Sequence, residues 1–415
     1  MSHFTSKKFL PLFIVQFAGY YNDQLLRNAL LVLVTFSNFS LFGLKHGQFA
    51  NLIVACLIFP TIILSSAAGK LADSVNKVTI LKVMKTSEVV VLVIAGIGFY
   101  FHDSAILILC LLAFGITAAF TIPIKYSILP QYLPQNEIIM ASGYLEMGVF
   151  IAVLFGQASG SFLMASYDGT GVMIVLMVVA IVGLLACFVM PNAPATNDHV
   201  AFKRNFISEN YKMYKMVTQN RLIWKNVHSI GWFLAVGVTI ITQLSFLTLH
   251  YLGGDAHVLA LCGALLTIGI SLGSVSSAKL SNGVLVHKHV VIGALGVSLS
   301  VFMLLFINYK DIDSYLTLEQ YIHTLNGVLS LVSVFFIGFS SGFFSLTCYS
   351  ELPMIAPEDI RSQVTATSNL VASLYQIGAL IVSSLLLKFG FTSWGIMFSI
   401  VILNILFAIW YAWQK

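Results

Sequence analysis

Twelve stretches of mostly apolar residues, each close to the length of a bilayer-spanning helix, recur along this chain and leave room for little else. They centre on Val15–Leu33, Asn51–Ala67, Ile80–Phe99, Ala105–Ile124, Ile139–Leu163, Val172–Met190, Ile230–Leu249, Leu259–Ser277, Val290–Ile307, Leu325–Leu346, Val364–Leu386 and Trp394–Trp413. A hydrocarbon core of about 30 Å is crossed by roughly 20 helical residues. Isolated strands cannot satisfy their backbone groups in lipid, and the short alternating segments of a transmembrane barrel are absent. With 58% hydrophobic and 9% charged residues, the composition lies outside the soluble range. The expected fold class is an all-α membrane protein with twelve transmembrane helices.

The twelve divide into two sixes. Tyr126 to Pro134 read YSILPQYLP and Tyr349 to Pro357 read YSELPMIAP, the same frame 223 positions apart. SSAAGKL (Ser65 to Leu71) is echoed by SVSSAKL (Ser274 to Leu280) at an offset of 209. The 14-residue difference fits the polar stretch Asn308 to His323, which stands where the first half has only Phe101 to Ala105. A tandem duplication in one orientation is the layout of transporters built from two related halves. The expected organisation is a six-helix bundle over 1–190, a basic linker over 191–226 and a second six-helix bundle over 227–415. It points to alternating access.

Lys and Arg placement sets the orientation. Counting loops alternately, 17 of the 21 fall on the side that holds Lys7, Lys8, Lys70, Lys77, Lys82 and Lys85; Lys45, Lys310 and Lys388 fall on the other, and Arg27 lies inside the first segment. Both termini are therefore expected on the cytoplasmic side, and the formal charge of +5 reflects topology, with no nucleic-acid partner implied. The first segment is too long and too polar at its middle for a signal peptide. Five cysteines stand singly without a CxxC pair, so neither a metal site, a cofactor nor a disulfide framework is suggested. The central polar segment, Asn192 to Asn226, carries Lys203, Arg204, Lys212, Lys215, Arg221 and Lys225 among spaced aromatics (Phe206, Tyr211, Tyr214, Trp224). That pattern predicts an amphipathic helix at the membrane surface, either a plain basic anchor or a regulatory, lipid-sensing element.

Ions inside apolar segments are expensive and are functional by default. In the first segment, Asp23 and Arg27 are i and i+4 and share a face with Gln16 and Tyr20; Asn22 precedes Asp23. Lys125 ends the fourth segment, and Glu146 lies in the fifth on a stripe with Phe150, Val153 and Gln157. Asp23 and Arg27 could also form a purely structural pair, and Lys125 could simply snorkel. The second half has Cys348 and Asn369 at the positions of Lys125 and Glu146, offers Thr239, Thr242, Gln243, Ser368, Asn369 and Gln376, and is rich in phenylalanine (Phe335, Phe336, Phe339, Phe343, Phe344). An ionic wall facing an apolar one suits an amphipathic substrate, and the four inner ions sum to zero, which permits a zwitterionic head. Gly156 and Gly160 on one side and Gly269 and Gly273 on the other predict a close-packed seam between the fifth and eighth segments through which an acyl tail would enter.

Between the second and third segments runs GKLADSVNK (Gly69 to Lys77). It resembles the loop motif of the major facilitator superfamily, with Ser74 and Asn76 in place of the usual Arg and Gly. The resemblance implies that fold, with Asp73 accepting from donors at a neighbouring helix end and Lys70 and Lys77 pinning the same face, a latch that breaks when that side opens.

FLPLFIVQFAGYYNDQLLRNALLVLVTF, IPIKYSILPQYLPQNEI and GYLEMGVFIAVLFGQASG further resemble the bacterial lysophospholipid transporters of that superfamily, and equally the transporter domain of acyltransferase/acyl-ACP synthetase fusion proteins. The likeness is detailed in the first half and rests on length and helix count in the second. It implies a secondary carrier that moves lysophospholipid, mainly lysophosphatidylethanolamine, from the outer to the inner leaflet of the bacterial inner membrane, with Asp23, Lys125 and Glu146 lining the head-group pocket. Asn22-Asp23-Gln24 departs from the family's Asn-Asp-Asn, and no basic residue occurs in GVTIITQL (Gly237 to Leu244), so Arg27 is the candidate phosphate partner. An acyltransferase or acyl-ACP synthetase would be a separate polypeptide.

Enzymatic signatures are missing: no GxxxxGK[ST], serine elbow or HExxH occurs. His250 and Asp255 have the HxxxxD spacing of glycerolipid acyltransferases but none of that family's other blocks. Two rival readings remain: a transporter of another amphipathic solute, such as a drug or siderophore, and a non-transporting scaffold that recruits an acyltransferase. The Gly-Pro pattern of proton antiporters is absent from the fifth segment.

Overall fold

Helices account for nearly all of the residues that the computed structural model describes, 8–36, 46–101, 103–197, 206–307 and 316–414. Lys7, Lys45, Lys203, Arg204, Lys310 and the stretch 308–315 lie outside these residues. In chain order the helices are α1 (Phe9–Phe36), α2 (His46–Ser74), α3 (Lys77–Tyr100), α4 (Ser104–Ser127), the single turn α5 (Leu129–Tyr132), α6 (Gln135–Val189), α7 (Phe206–Val217), α8 (Arg221–His250), α9 (Ala256–Ser281), α10 (Lys288–Leu305), α11 (Leu318–Ile322), α12 (Leu325–Ile355), α13 (Arg361–Lys388) and α14 (Ser393–Trp413). A 3₁₀ turn, Glu358–Ile360, precedes α13.

Ten spans among the described residues are long and apolar enough to cross a membrane. At 1.5 Å per residue a 55-residue helix would be about 80 Å long, far beyond one bilayer; α6 accordingly holds two spans, Gln135–Met164 and Gly169–Val189. Two further long helices, α1 and α3, are absent from those ten and carry ions, Asp23 and Arg27 in one, Lys85 and Glu88 in the other. Exposed positions along the spans are apolar, among them Leu109, Ile174, Val178, Leu299 and Leu406, as expected of a surface that meets lipid. The helix starts are chemically marked: Asn76 caps α3, Asp103 caps α4 and Thr392 caps α14 with side-chain oxygens on first-turn amides. α8 begins nine residues ahead of the apolar stretch, because the basic run Arg221–Lys225 continues the helix into the hydrated layer.

The helices pack as two compact units, Met1–Pro134 with Ile151–Lys225 and Leu352–Ser373, and Gln135–Phe150 with Asn226–Glu351 and Leu374–Lys415. The first unit's core is built on Leu25, Leu30, Leu92, Leu107, Leu111 and Leu176; the second's on Ile240, Val258, Val301, Val334, Met397 and Val401.

The internal repeat has a structural counterpart in each unit. In the first, the stripe Ser65, Gly69, Asp73 of α2 meets the start of α13: Ser65 donates to the Ala366 carbonyl (2.6 Å), and a Cβ on Gly69 would stand 2.8 Å from Gln363 Cα. In the second, the equivalent positions Ser274, Ala278 and Asn282 belong to α9, and Ala278 packs on Gly143 at the start of α6, itself the counterpart of Ala366. α9 ends with Asn282 and Gly283 in the left-handed region (φ 47° and 79°), bringing Gly283 onto the Asn136 carbonyl.

The glycines expected to form a seam between the fifth and eighth segments pack elsewhere. Cβ atoms on Gly156 and Gly160 would lie 2.6 Å from the carbonyls of Tyr21 and Leu25 on α1, and Gly269 and Gly273 sit on the Phe335–Phe339 backbone of α12. Both pairs are helix-packing sites inside a unit, and the expectation of a tail entrance there is withdrawn. The phenylalanine stripe of α12 is likewise partly interior: Phe343 packs on His289, and Phe344 against Phe233 and Phe407, while Phe336 is exposed.

Candidate functional site

α1 places Gln16, Tyr20, Asp23 and Arg27 on one face, three or four residues apart. Gln16 is buried, and Asp23 and Arg27 interact electrostatically as a pair one turn apart. The Arg27 Nε is buried without a hydrogen-bond partner among the described residues. Next to this face stands Lys125 at the last turn of α4. It is 4% exposed, and its Nζ lies 5.2 Å from the Tyr20 ring centre and 4.6 Å from that of Tyr126. An ammonium over two rings is held by cation–π attraction of about 0.5–2 kcal/mol per ring, so Lys125 is gripped within the first unit rather than snorkelling.

Asn22 diverges from this group. Adjacent helical residues point about 100° apart, and Asn22, fully buried, turns to the edge of the face. Its amide donates to Glu88 Oε1 on α3 and to the Leu176 carbonyl on α6, both at 3.2 Å. Glu88 in turn accepts from Lys85 at 2.5 Å, and both partners are buried. Gln157 reaches Gln24 on α1 (3.4 Å). Glu146 is buried (4% exposed) in the part of α6 that belongs to the second unit. Thus Lys125 meets Tyr20 on the face of α1 that also bears Asp23 and Arg27, while Asn22 joins an ion pair on α3. That pair escaped the sequence reading because Lys85 was counted among the loop charges. Its signal is the spacing Lys85-x-x-Glu88 inside an apolar stretch.

In the second unit, Thr239 and Thr242 hydrogen-bond to carbonyls of their own helix. Glu351, the variable residue of the repeated frame, is buried and accepts from Asn226 (2.9 Å) with His287 Nε2 at 2.9 Å from its other oxygen.

A second cluster surrounds Asp73. It is fully buried, its Oδ1 accepting from the Ser362 amide (2.9 Å) and its Oδ2 from the Gln363 amide (3.0 Å) at the start of α13. These are orphan donors of a helix N-terminus, where a carboxylate is favoured by both hydrogen bonding and the helix dipole. Ser362 also bonds Ser127 at the end of α4 (2.9 Å). The Asp73 carbonyl accepts from Thr196 and Asn197. Lys77 is buried, its Nζ without a hydrogen-bond partner among the described residues, and Lys70 pairs with Glu209 of α7 at 2.5 Å; Lys70 therefore anchors the linker helix.

α7 docks along the neighbouring stripe of α2. Asn210 accepts from the Ser66 amide (2.8 Å) and donates to the Ile62 carbonyl (2.7 Å), the two ends of one helical backbone hydrogen bond. Met213 and Val217 are buried beneath it, while Ile207, Tyr211 and Met216 are exposed beside Lys212 and Lys215. Asp255 caps α9 through the amides of His257 and Val258; the Val258 amide leads in holding its carboxyl below the usual range, and this capping accounts for the residue without acyl-transfer chemistry. Among the described residues no cluster of three or more His, Cys, Asp or Glu side chains could hold a metal ion.

Two bundles of long apolar helices, a duplicated motif ahead of α6 and α13, and an aspartate seated on the first turn of α13 define a class. Residues 12–377 match the Major Facilitator Superfamily, and the chain belongs to this family of transporters. It is 24% identical over 307 residues to the lysophospholipid transporter LplT of Serratia proteamaculans (strain 568), covering 72% of this chain and 73% of that one. Among solved structures it is similar to the human organic anion transporter MFSD10 (TETRAN), with a TM-score of 0.75, 11% identity and coverage of 97% and 99%. It is also similar to the E. coli fucose:proton symporter FucP, with a TM-score of 0.72, 12% identity and coverage of 98% of each chain.

Proposed function

We propose that this transporter carries lysophospholipid, moving it from the outer to the inner leaflet of a bacterial inner membrane by alternating access, with both termini cytoplasmic and without enzymatic activity of its own. The observation that carries the reading is Lys125, a buried ammonium held over Tyr20 and Tyr126 beside the Asp23–Arg27 face. Ions of both signs along one polar face match a zwitterionic head: Arg27 and Lys125 attract phosphate, and Asp23 attracts an amine. The resemblance to the lysophospholipid transporter supports the same substrate class. Glu146, buried in its own unit, is a further candidate head-group residue. Asp73 on the α13 amides acts as the latch, an interaction that opening of this side has to break, with Lys77 beside it.

The test is transport by purified protein in proteoliposomes. Labelled lysophosphatidylethanolamine should cross faster than in protein-free vesicles, compete with other lysolipids and ignore cationic drugs and siderophores. Transport of the solutes but not of lysolipid would give the substrate assignment to the alternative; transport of neither would favour a scaffold.

A further inference from the structure

The ion pair of α3 has no place in the head-group set, yet it is tied to it. Glu88 holds Lys85 through Oε2 and Asn22 through Oε1. Asn22 precedes Asp23, and its amide also donates to α6, so one side chain fixes α1 against two helices. Lys85 lies close against α1: a Cβ on Gly19 would lie 3.0 Å from its Nζ, and its stem runs past Gly183 of α6. Gly19 is one turn before Asp23 on α1, so the ammonium comes to rest on the flank of the Asp23 face, and Asp23 interacts with Arg27, Glu88 and Lys85. Buried ion pairs contribute little net stability and can be replaced by apolar residues without loss. This pair is connected to the orientation of a functional helix, which gives a reason for it beyond stability.

We propose that Glu88, oriented by Lys85, is a positioning residue: through Asn22 it sets the rotation of α1 that presents Asp23 and Arg27 to the substrate. Helical side chains diverge by about 100° per residue, so a modest turn of α1 would re-aim Asp23 and Arg27 and shift Tyr20 relative to Lys125. The Glu88–Asn22 hydrogen bond is the part that matters, and the ammonium is required only because the acceptor is charged. The inference rests on the lysolipid reading for its substrate but not for its geometry.

Two double variants separate positioning from charge. Lys85→Met with Glu88→Gln removes both charges and keeps an oxygen for Asn22; Lys85→Met with Glu88→Leu removes the oxygen too. In proteoliposomes the Gln variant should retain lysolipid affinity within about threefold, and the Leu variant should lose about tenfold or more, the change that corresponds to one hydrogen bond of about 1.4 kcal/mol. Carbodiimide labelling of Asp23, followed by mass spectrometry without substrate, reads its presentation directly. The labelling rate should match wild type in the Gln variant and change several-fold in the Leu variant. If the Leu variant does not fold, Asn22→Ala removes the same bond from the other end and should behave alike. Equal behaviour of the two double variants in affinity and labelling, whether both intact or both impaired, overturns the proposal. If wild-type protein does not move lysolipid, the substrate reading fails, while the labelling comparison still decides the geometry.

Discussion

Replacing Asp73 by asparagine keeps one of the two oxygens that accept from the Ser362 and Gln363 amides and turns the other into a donor facing a buried donor. Hydrogen bonds to a charged group contribute about 1.5–3 kcal/mol, and a charge at a helix N-terminus contributes about 0.3–1 kcal/mol more. The docked start of α13 should therefore weaken by about 2–3 kcal/mol, a shift of roughly 30- to 100-fold in its opening equilibrium at about 1.4 kcal/mol per decade. Hydrogen exchange measures that opening directly, because the two amides are themselves the donors. In the peptide spanning residues 361–367 they should exchange faster by that factor, while distant peptides of α14 stay unchanged. Transport should slow, because the state closed on this side is less populated, and equilibrium affinity should stay within a few fold, as expected when a latch rather than a ligand is lost. Unaltered exchange at Ser362 and Gln363, or a large loss of affinity at an unchanged rate, would refute the latch.

Asp23→Asn should abolish or strongly reduce transport with folding intact, and combining it with Arg27→Gln should cost less than the two single effects summed, because each charge is then relieved of an unpaired partner; normal transport by a well-folded Asp23→Asn protein would make the pair structural. Gly156→Val forces a side chain into the Tyr21 carbonyl, so the thermal midpoint should drop by the equivalent of about 1–3 kcal/mol; Gly378→Ala, with nothing within 4 Å of the added carbon, should leave it unchanged. The hydrogen bond from Lys70 holds the Glu209 carboxyl below its ordinary value of 4.5. A depressed value in the docked state means that the contribution to α7 docking is fully present above about 4.5 and is lost as pH falls through the lower value. A spin label at Met216 should therefore become mobile only in that acid range, and Glu209→Gln should remove the transition.

The apolar stretches and the repeated frame were legible because lipid imposes length and composition on every crossing helix. Gly69 and Asp73 were legible for another reason: a motif names the acceptor, and a helix N-terminus provides donors. Pairing was not legible. GxxxG spacing announces that Gly156 and Gly160 meet another backbone but cannot say which one, and the partner is α1 rather than the eighth segment. Lys85 and Glu88 could have been found by the rule that singled out Asp23 and Arg27, since they too are opposite charges one turn apart within an apolar stretch. Treating every lysine near a helix end as a topological signal concealed them. Asn210 carried no local sign at all, because an asparagine on an amphipathic helix looks solvated until the helix it enters is known.

That asparagine bears on how the chain is made. Its side-chain amide meets the Ser66 amide and the Ile62 carbonyl, one turn apart on α2, although residue 210 is synthesised 144 positions after Ser66. Until the linker emerges, Ser66 and Ile62 have only each other as backbone partners within that turn, and in lipid an unpaired group costs several kcal/mol. The nascent α2 therefore enters the bilayer before its contacts with Asn210 exist and gains them only when α7 arrives. A fragment ending before α7 would lack these contacts, and the finished form of the first unit is a late event in translation.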